Sequence, residues 1–311
     1  MSAFIICLMG PTASGKTQLA IDLLNELPCE IVSVDSALVY KELNIGSAKP
    51  SAPVLSVAPH HLINLCSITE IYSVANFIKD VHETIAAIFK RGKIPLLVGG
   101  TMMYFNALQK GLSEMPSTDQ TLRARLLEKA AELGWPALHR DLTALDPVAA
   151  LRIHPNDTQR TLRALEVYYQ SGKNLTGWHH ASQPKASPYQ FINFAITCED
   201  RARLHERIAL RFREMLAQGL VDETKQLLQL ANADCPALRS VGYRQVIQYL
   251  QGIYDYDEMV LRAIIASRQL AKRQLTWLRH WSQPLHWLES TSMGTVAQVL
   301  ATLAKVENNM G

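Results

Sequence analysis

Eight residues near the start of the chain, GPTASGKT (Gly10 to Thr17), restrict its fold more than any other feature. They match G-x-x-x-x-G-K-[ST], a phosphate-holding loop that works only between a strand and a helix. Both flanks are present. FIICLMG is a short continuous apolar run, the pattern of a strand buried on both faces. TQLAIDLLNELP has helical spacing and stops at Pro28. The glycines allow a tight loop with inward N–H groups. The helix N-terminus adds positive potential, and Lys16 adds a full charge. The hydroxyl of Thr17 is suited to Mg²⁺. The motif specifies a phosphate or diphosphate, not a nucleotide.

Strands and helices continue to alternate through the first hundred residues. EIVSVDS predicts a second strand ending at Asp35 and Ser36, and HHLINLCSI a third. SVANFIKDVHETIAAIFKRGK predicts an amphipathic helix capped by Ser73 with a basic last turn. IPLLVGGT predicts a buried strand ending in Gly99 and Gly100. This alternation implies a parallel sheet with helices on both faces. After Gly111 the texture changes. SEMPSTDQ is turn-rich, Thr118 to Gly172 has helical spacing throughout, and KNLTGWHHASQPKASP is polar and loop-like. YQFINFAIT returns to strand character; from Asp200 onward the chain is mostly helical, with one more strand at LHWLES. The expected fold is α/β, a P-loop NTPase-like core of parallel sheet flanked by helices. It spans 1–114 and 189–311, with an all-helical insertion at 115–188.

Composition narrows the function. The net charge of the 311-residue chain is only +3, so any nucleic-acid surface has to be a local concentration of charge. The five cysteines lie far apart without a CxxC pair, which argues against a disulfide framework or zinc site and for a reducing compartment, the cytoplasm. No run of 18 uncharged apolar residues is present, so no membrane span is expected. The N-terminal apolar run follows no basic residue and makes a poor signal peptide. His60 and His61 sit too close together for a metal pair on one helix face, His179 and His180 fall in the polar loop, and Cys7 belongs to the core. Trp135, Trp178, Trp277 and Trp281 are the type of residue that usually packs.

An NTPase needs a second acid at a strand end to hold its metal. IPLLV ends instead in Gly99-Gly100-Thr101, leaving Asp35 as the strand-end acid near the loop. This weakens an ATPase motor and leaves a small-molecule kinase or another diphosphate-handling transferase. Arg203, Arg207 and Arg211, four apart on one helix, are a diphosphate clamp or a solvated stripe. On the residues alone Asp35 is a base, a metal-associated carboxylate or a helix cap, and Thr101 a hydrogen-bonding group or a cap. Three basic segments stand out: QRTLR, after a cap at Asn156 or Asp157; RSVGYR, which combines charge with a stacking ring in Tyr243; and SRQLAKRQLTWLRH, with Arg268, Lys272 and Arg279 on one stripe beside Arg273 and His280. Each alone is an ordinary solvated face. Three in a nearly neutral chain suggest a local concentration of positive charge, and an RNA-binding module with a vestigial loop is a further reading.

GPTASGKT, VDSALVYKELNIGSAKP, PHHLI, LLVGGTMMYF, DPVAALRIHPNDTQRTLRALEVY, RSVGYRQ and SRQLAKRQLTWLR, in this order, resemble the bacterial tRNA dimethylallyltransferase (IPP transferase) family along nearly the whole chain. Some relatives have glutamine at the position of Leu38, and the zinc-finger extension of eukaryotic relatives is lacking. The resemblance implies transfer of a dimethylallyl group from dimethylallyl diphosphate to the exocyclic amine of the adenine 3′ to the anticodon of tRNA. It implies a Mg²⁺-dependent monomer. Gly10, Pro11, Thr12, Ala13, Ser14, Gly15, Lys16 and Thr17 would cradle the diphosphate, Thr17 would also meet the metal, and Arg207 and Arg211 would clamp. Asp35 would be the base and Thr101 would orient the amine. Contact with tRNA would fall to Asp35, Ser36, Ala37 and Leu38, to Thr101 and Arg123, and to Gln159, Arg160, Thr161, Leu162 and Arg163. It would extend to Arg239, Ser240, Val241, Gly242, Tyr243 and Arg244, and to Lys272, Arg273, Gln274, Leu275, Thr276, Trp277, Leu278 and Arg279. The insertion would grip the anticodon stem.

Overall fold

The computed structural model describes residues 4–113, 115–181, 187–198, 200–290 and 294–308. The polar 173–188 segment and the turn-rich 113–120 segment therefore fall partly outside the described residues. The chain divides into two compact units, Met1–Gln109 with Ser187–Gly311, and Lys110–Ala186.

The first unit begins with strand β1 (Phe4–Met9), helix α1 (Lys16–Glu26) and strand β2 (Cys29–Val34). A short helix α2 (Ala52–Val57) leads to the two-residue strand β3 (His60–His61). Helix α3 (Val74–Lys90), strand β4 (Ile94–Gly99) and helix α4 (Met102–Lys110) follow. Ser73 caps α3 in a reciprocal box with Asn76, as its sequence predicts. The second unit holds α5 (Gln120–Leu133), α6 (Trp135–Leu145), α7 (Pro147–Arg152), α8 (Thr158–Ser171) and α9 (Leu175–Ala181). The first unit resumes with β5 (Gln190–Thr197), α10 (Arg201–Ala217), α11 (Leu220–Leu230), a 3-10 turn at Pro236–Arg239 and α12 (Tyr243–Leu250). It finishes with α13 (Tyr256–Arg279), β6 (Leu285–Glu289) and α14 (Thr295–Asn308).

The six strands form one sheet in the order β3-β2-β4-β1-β5-β6, parallel throughout. In β1, Phe4, Ile6 and Leu8 pack on one face with α1 and α14, while Ile5, Cys7 and Met9 pack on the other with α3 and α4. Burial on both faces is why the strand reads as an unbroken apolar run. A third core joins the loop after β2 to the helices from α10 to α13. The second unit has a core of its own, built on Leu126, Leu138, Leu142 and Leu165.

Two expectations are corrected. HHLINLCSI supplies only two strand residues, because Leu62 and Asn64 adopt left-handed backbone (φ 60° and 57°) that ends the strand. His179 and His180 lie in α9, not in a loop.

Candidate active site

Strands β2, β4 and β1 are adjacent and parallel, and both Val34 and Met9 lie opposite Gly99. The three strands therefore end level, and their next residues enter one crevice. Gly99 has no room for a side chain: a Cβ there would meet the Val34 carbonyl oxygen at 2.0 Å. The crevice is a cavity of about 470 Å³. Its walls include Thr12, Lys16 and Thr17 from the loop, Asp35 to Leu38 from the end of β2, Thr101 from the end of β4, and Arg211 from α10. Arg239 to Gly242 and Gln274 complete it.

The loop turns through left-handed backbone at Ala13 and Gly15 (φ 61° and 90°), and the Ser14 N–H donates to the Pro11 carbonyl oxygen at 3.3 Å. Gly10 is fixed by space, since a Cβ would lie 2.8 Å from the Ile196 carbonyl oxygen. Lys16 Nζ donates to the Pro11 carbonyl oxygen at 2.6 Å. Burial, and then the Arg211 guanidinium, push its amine down to about 7, while Asp35 pulls upward. Arg211 Nη1 donates to Thr12 Oγ1 at 3.4 Å, so its cation borders the loop.

Asp35 Oδ1 accepts from the Ala37 N–H at 2.8 Å, a local turn that leaves the carboxylate at the cavity wall. Thr101 Oγ1 accepts from the Ser36 N–H at 3.1 Å, while its carbonyl oxygen accepts from the Tyr104 N–H at 2.9 Å and opens α4. Thr101 and Asp35 are thus tied together through Ser36, beside Lys16 and Arg211.

Other expected residues separate. Arg207 donates to Ser290 Oγ at 3.2 Å and lines a different cavity of about 540 Å³, with Ser14, Gly15, Gln18 and Arg211. Arg203 is an exposed partner of Asp200 at 3.6 Å. Tyr243 is fully buried and donates its hydroxyl to Glu223 at 2.7 Å, which corrects its reading as a stacking surface. Thr161, Leu162 and Leu278 are also buried, so within their segments they fill cores while Gln159, Arg160, Lys272, Arg273, Thr276 and Arg279 stay exposed. Arg239 and Arg244 are exposed, and Leu275 packs beside Ala271. Trp277, expected to pack, is 43% exposed. In the second unit Asp157 is the cap of α8. There Arg123 and Arg163 converge on buried Glu166 at 2.7 and 3.6 Å, and Arg163 also donates to the Pro116 carbonyl oxygen.

Two residues carry more than their sequence context announces. Glu223 of α11 accepts from the Ile45 and Gly46 N–H groups and from Tyr243, joining two of the sequence motifs. Gln274 of α13 accepts from the Thr12 N–H and donates to the Gly100 carbonyl oxygen. Neither has a spacing signature, because the partners are backbone groups and a tyrosine hydroxyl brought near only by folding.

Among the described residues no group of three or more His, Cys, Asp or Glu side chains is arranged to hold a metal. The donors that are present, Thr17 with Asp35 across the same cavity, suit a cation shared with phosphate oxygens and water, the habit of Mg²⁺.

A family model described as IPP transferase matches residues 38–281. Two curated relatives from Legionella pneumophila, strains Lens and Corby, each a tRNA dimethylallyltransferase, are 51% identical to this chain and cover 99% of both partners. The full-length tRNA isopentenylpyrophosphate transferase of Bacillus halodurans superposes with a TM-score of 0.72 at 33% identity, covering 98% of this chain and 96% of that one. A eukaryotic dimethylallyltransferase, solved acting on tRNA, gives 0.80 at 26% identity, covering 99% and 80%. On the family model and these full-length relatives together, the chain belongs to the IPP transferase family.

Proposed function

We propose that this chain is a tRNA prenyl transferase that moves the dimethylallyl group of dimethylallyl diphosphate onto N6 of the adenine 3′ to the anticodon. The observation that carries this reading is the meeting of two chemistries in one cavity: Lys16 and Arg211 at the phosphate loop, Asp35 and Thr101 beside them. The allylic C1–O bond breaks and its electron pair leaves with the diphosphate. The loop N–H groups, Lys16 and Arg211 stabilise that growing negative charge. The N6 lone pair forms the new C–N bond. Because that lone pair is shared with the purine ring, the amine needs its proton removed as the bond forms, and the Asp35 carboxylate receives it. Thr101 orients the amine.

Thr17 and the diphosphate oxygens would hold Mg²⁺, which when bound neutralises charge on the leaving group. The enzyme would act as a monomer in the cytoplasm. The target adenine has to be flipped out of the stacked anticodon loop to reach the cavity. Exposed Gln159 and Arg160 of the helical unit would contact the anticodon stem, and Lys272, Arg273 and Arg279 the loop backbone.

The test supplies labelled dimethylallyl diphosphate or labelled ATP together with bulk tRNA. Label is expected in RNA from the allylic donor alone; ATP turnover with no labelled RNA would favour a kinase and reject the proposal. Asp35→Asn should lower kcat by about 10²- to 10⁴-fold with tRNA affinity kept. Unchanged turnover would remove the base.

A further inference from the structure

The ladder between β1 and β4 pairs its last residues at Met9 and Gly99, and past that point the donor loop and the acceptor end of the site part company. Across this gap lies the side-chain amide of Gln274, from the 24-residue helix α13. Its Oε1 accepts from the Thr12 N–H at 2.9 Å, and its Nε2 donates to the Gly100 carbonyl oxygen at 2.8 Å. One partner is a donor and the other an acceptor, so only one orientation of the amide satisfies both. A carboxylate cannot donate and an ammonium cannot accept, while a hydroxyl does both from a single atom and cannot span two separate backbone groups.

Gly100 shows how closely the amide is seated. Its backbone is not left-handed, so no conformation demands glycine there. A Cβ at residue 100 would stand 2.4 Å from Gln274 Nε2 and 3.3 Å from the Gly10 carbonyl oxygen, so the amide would have to move. The second glycine of the strand end thus makes room for the amide. Thr12 belongs to the loop that cradles the donor, and Gly100 directly precedes the residue that orients the acceptor.

We propose that Gln274 is a positioning residue for the transfer: its amide continues the β1–β4 ladder by one rung and sets the distance between the allylic carbon and the attacking amine. This inference rests on the transferase reading given above. It assigns Gln274 to the alignment of substrates within the protein and not to reading tRNA, although its neighbours Lys272 and Arg273 are exposed on the same helix. Misplacement of reacting groups by about 1 Å can cost about a hundredfold in rate, whereas binding of either substrate elsewhere is untouched.

Single-turnover transfer from labelled dimethylallyl diphosphate to tRNA, with both saturating, tests this in the full chain. Gln274→Met keeps the volume and deletes both hydrogen bonds. It should slow transfer by about ten- to a hundredfold, with unchanged tRNA affinity, unchanged salt dependence of binding and an unchanged unfolding midpoint. Gly100→Ala should produce a similar loss. Because both changes break one contact, Gly100→Ala should cost at most threefold more in a Gln274→Ala background. A wild-type rate in Gln274→Met, a loss of tRNA affinity that accounts for the defect, or full additivity of the Gly100 and Gln274 changes would overturn the positioning role. Wild-type protein that labels no tRNA would instead defeat the transferase reading, and the positioning role with it.

Discussion

Lys16 is held between a carbonyl of its own loop and the guanidinium of Arg211, in surroundings that weaken its charge. An anion with two or more negative charges reverses that penalty, which under the proposed function is the donor diphosphate. Lys16→Ala should raise the donor KM at least tenfold, about 1.4 kcal/mol or more, while tRNA affinity stays within twofold. Equal losses of both, measured by donor titration and filter binding, would contradict the assignment. The loop and Asp35 were legible in sequence because their chemistry demands given residue types at a strand end. Gln274 was legible only as part of a basic segment expected to meet tRNA, and Glu223 was not singled out, since their partners are groups that only folding brings near. Tyr243 was misread for the opposite reason: a ring beside a glycine and two arginines looks exposed until Glu223 is found beneath it.

Secondary elements are tied at the edge of the sheet opposite the cavity. Glu30, at the start of β2, receives hydrogen bonds from Arg91 Nε and Nη2 at 3.0 and 2.7 Å, lies 2.7 Å from His61 Nε2 of β3, and pairs with Lys93 Nζ at 3.3 Å. Arg91 foremost, with His61 and Lys93, lowers its carboxyl from 4.5 to about 2. A carboxylate depressed in the folded state stabilises the fold above its unfolded value and loses that contribution as pH falls toward its folded value. The stabilisation is therefore complete above about pH 5 and fades between 4.5 and 2. Glu30→Gln should cost about 1 kcal/mol at pH 7, because the partners reach it from solvent, and should flatten the decline on acidification. Denaturant midpoints at pH 7, 4.5 and 3 check this; parallel curves for the two proteins would show that the cluster is inert. The predicted strands β1, β2, β4 and β5 formed because each carries an apolar run bounded by turn residues. β3 shrank where Leu62 and Asn64 turn the backbone, a choice that composition does not reveal.

At the scale of the whole molecule, a chain of net charge +3 keeps exposed arginines in separate places: Arg160 on α8, Arg239 and Arg244 around α12, and Arg273 and Arg279 on α13. Binding to RNA should therefore follow local phosphate contacts. Arg160→Ala and Arg244→Ala should each reduce the slope of log affinity against log salt by about 0.7 to 0.9. Slopes equal to wild type would take those side chains off the RNA surface. The sequence loses its strand pattern after Gly111, and the compact units divide at Lys110 and Ala186. The chain leaves the sheet-bearing unit after Gln109 and re-enters at Ser187, and the N–H of Ser187 donates to the Gln109 carbonyl oxygen at 3.4 Å. Gln109 is itself anchored by its side chain on Asn193 of β5. Departure and return thus share one doorway, so the excursion can lengthen, shorten or be exchanged as a cassette while the catalytic scaffold keeps its register.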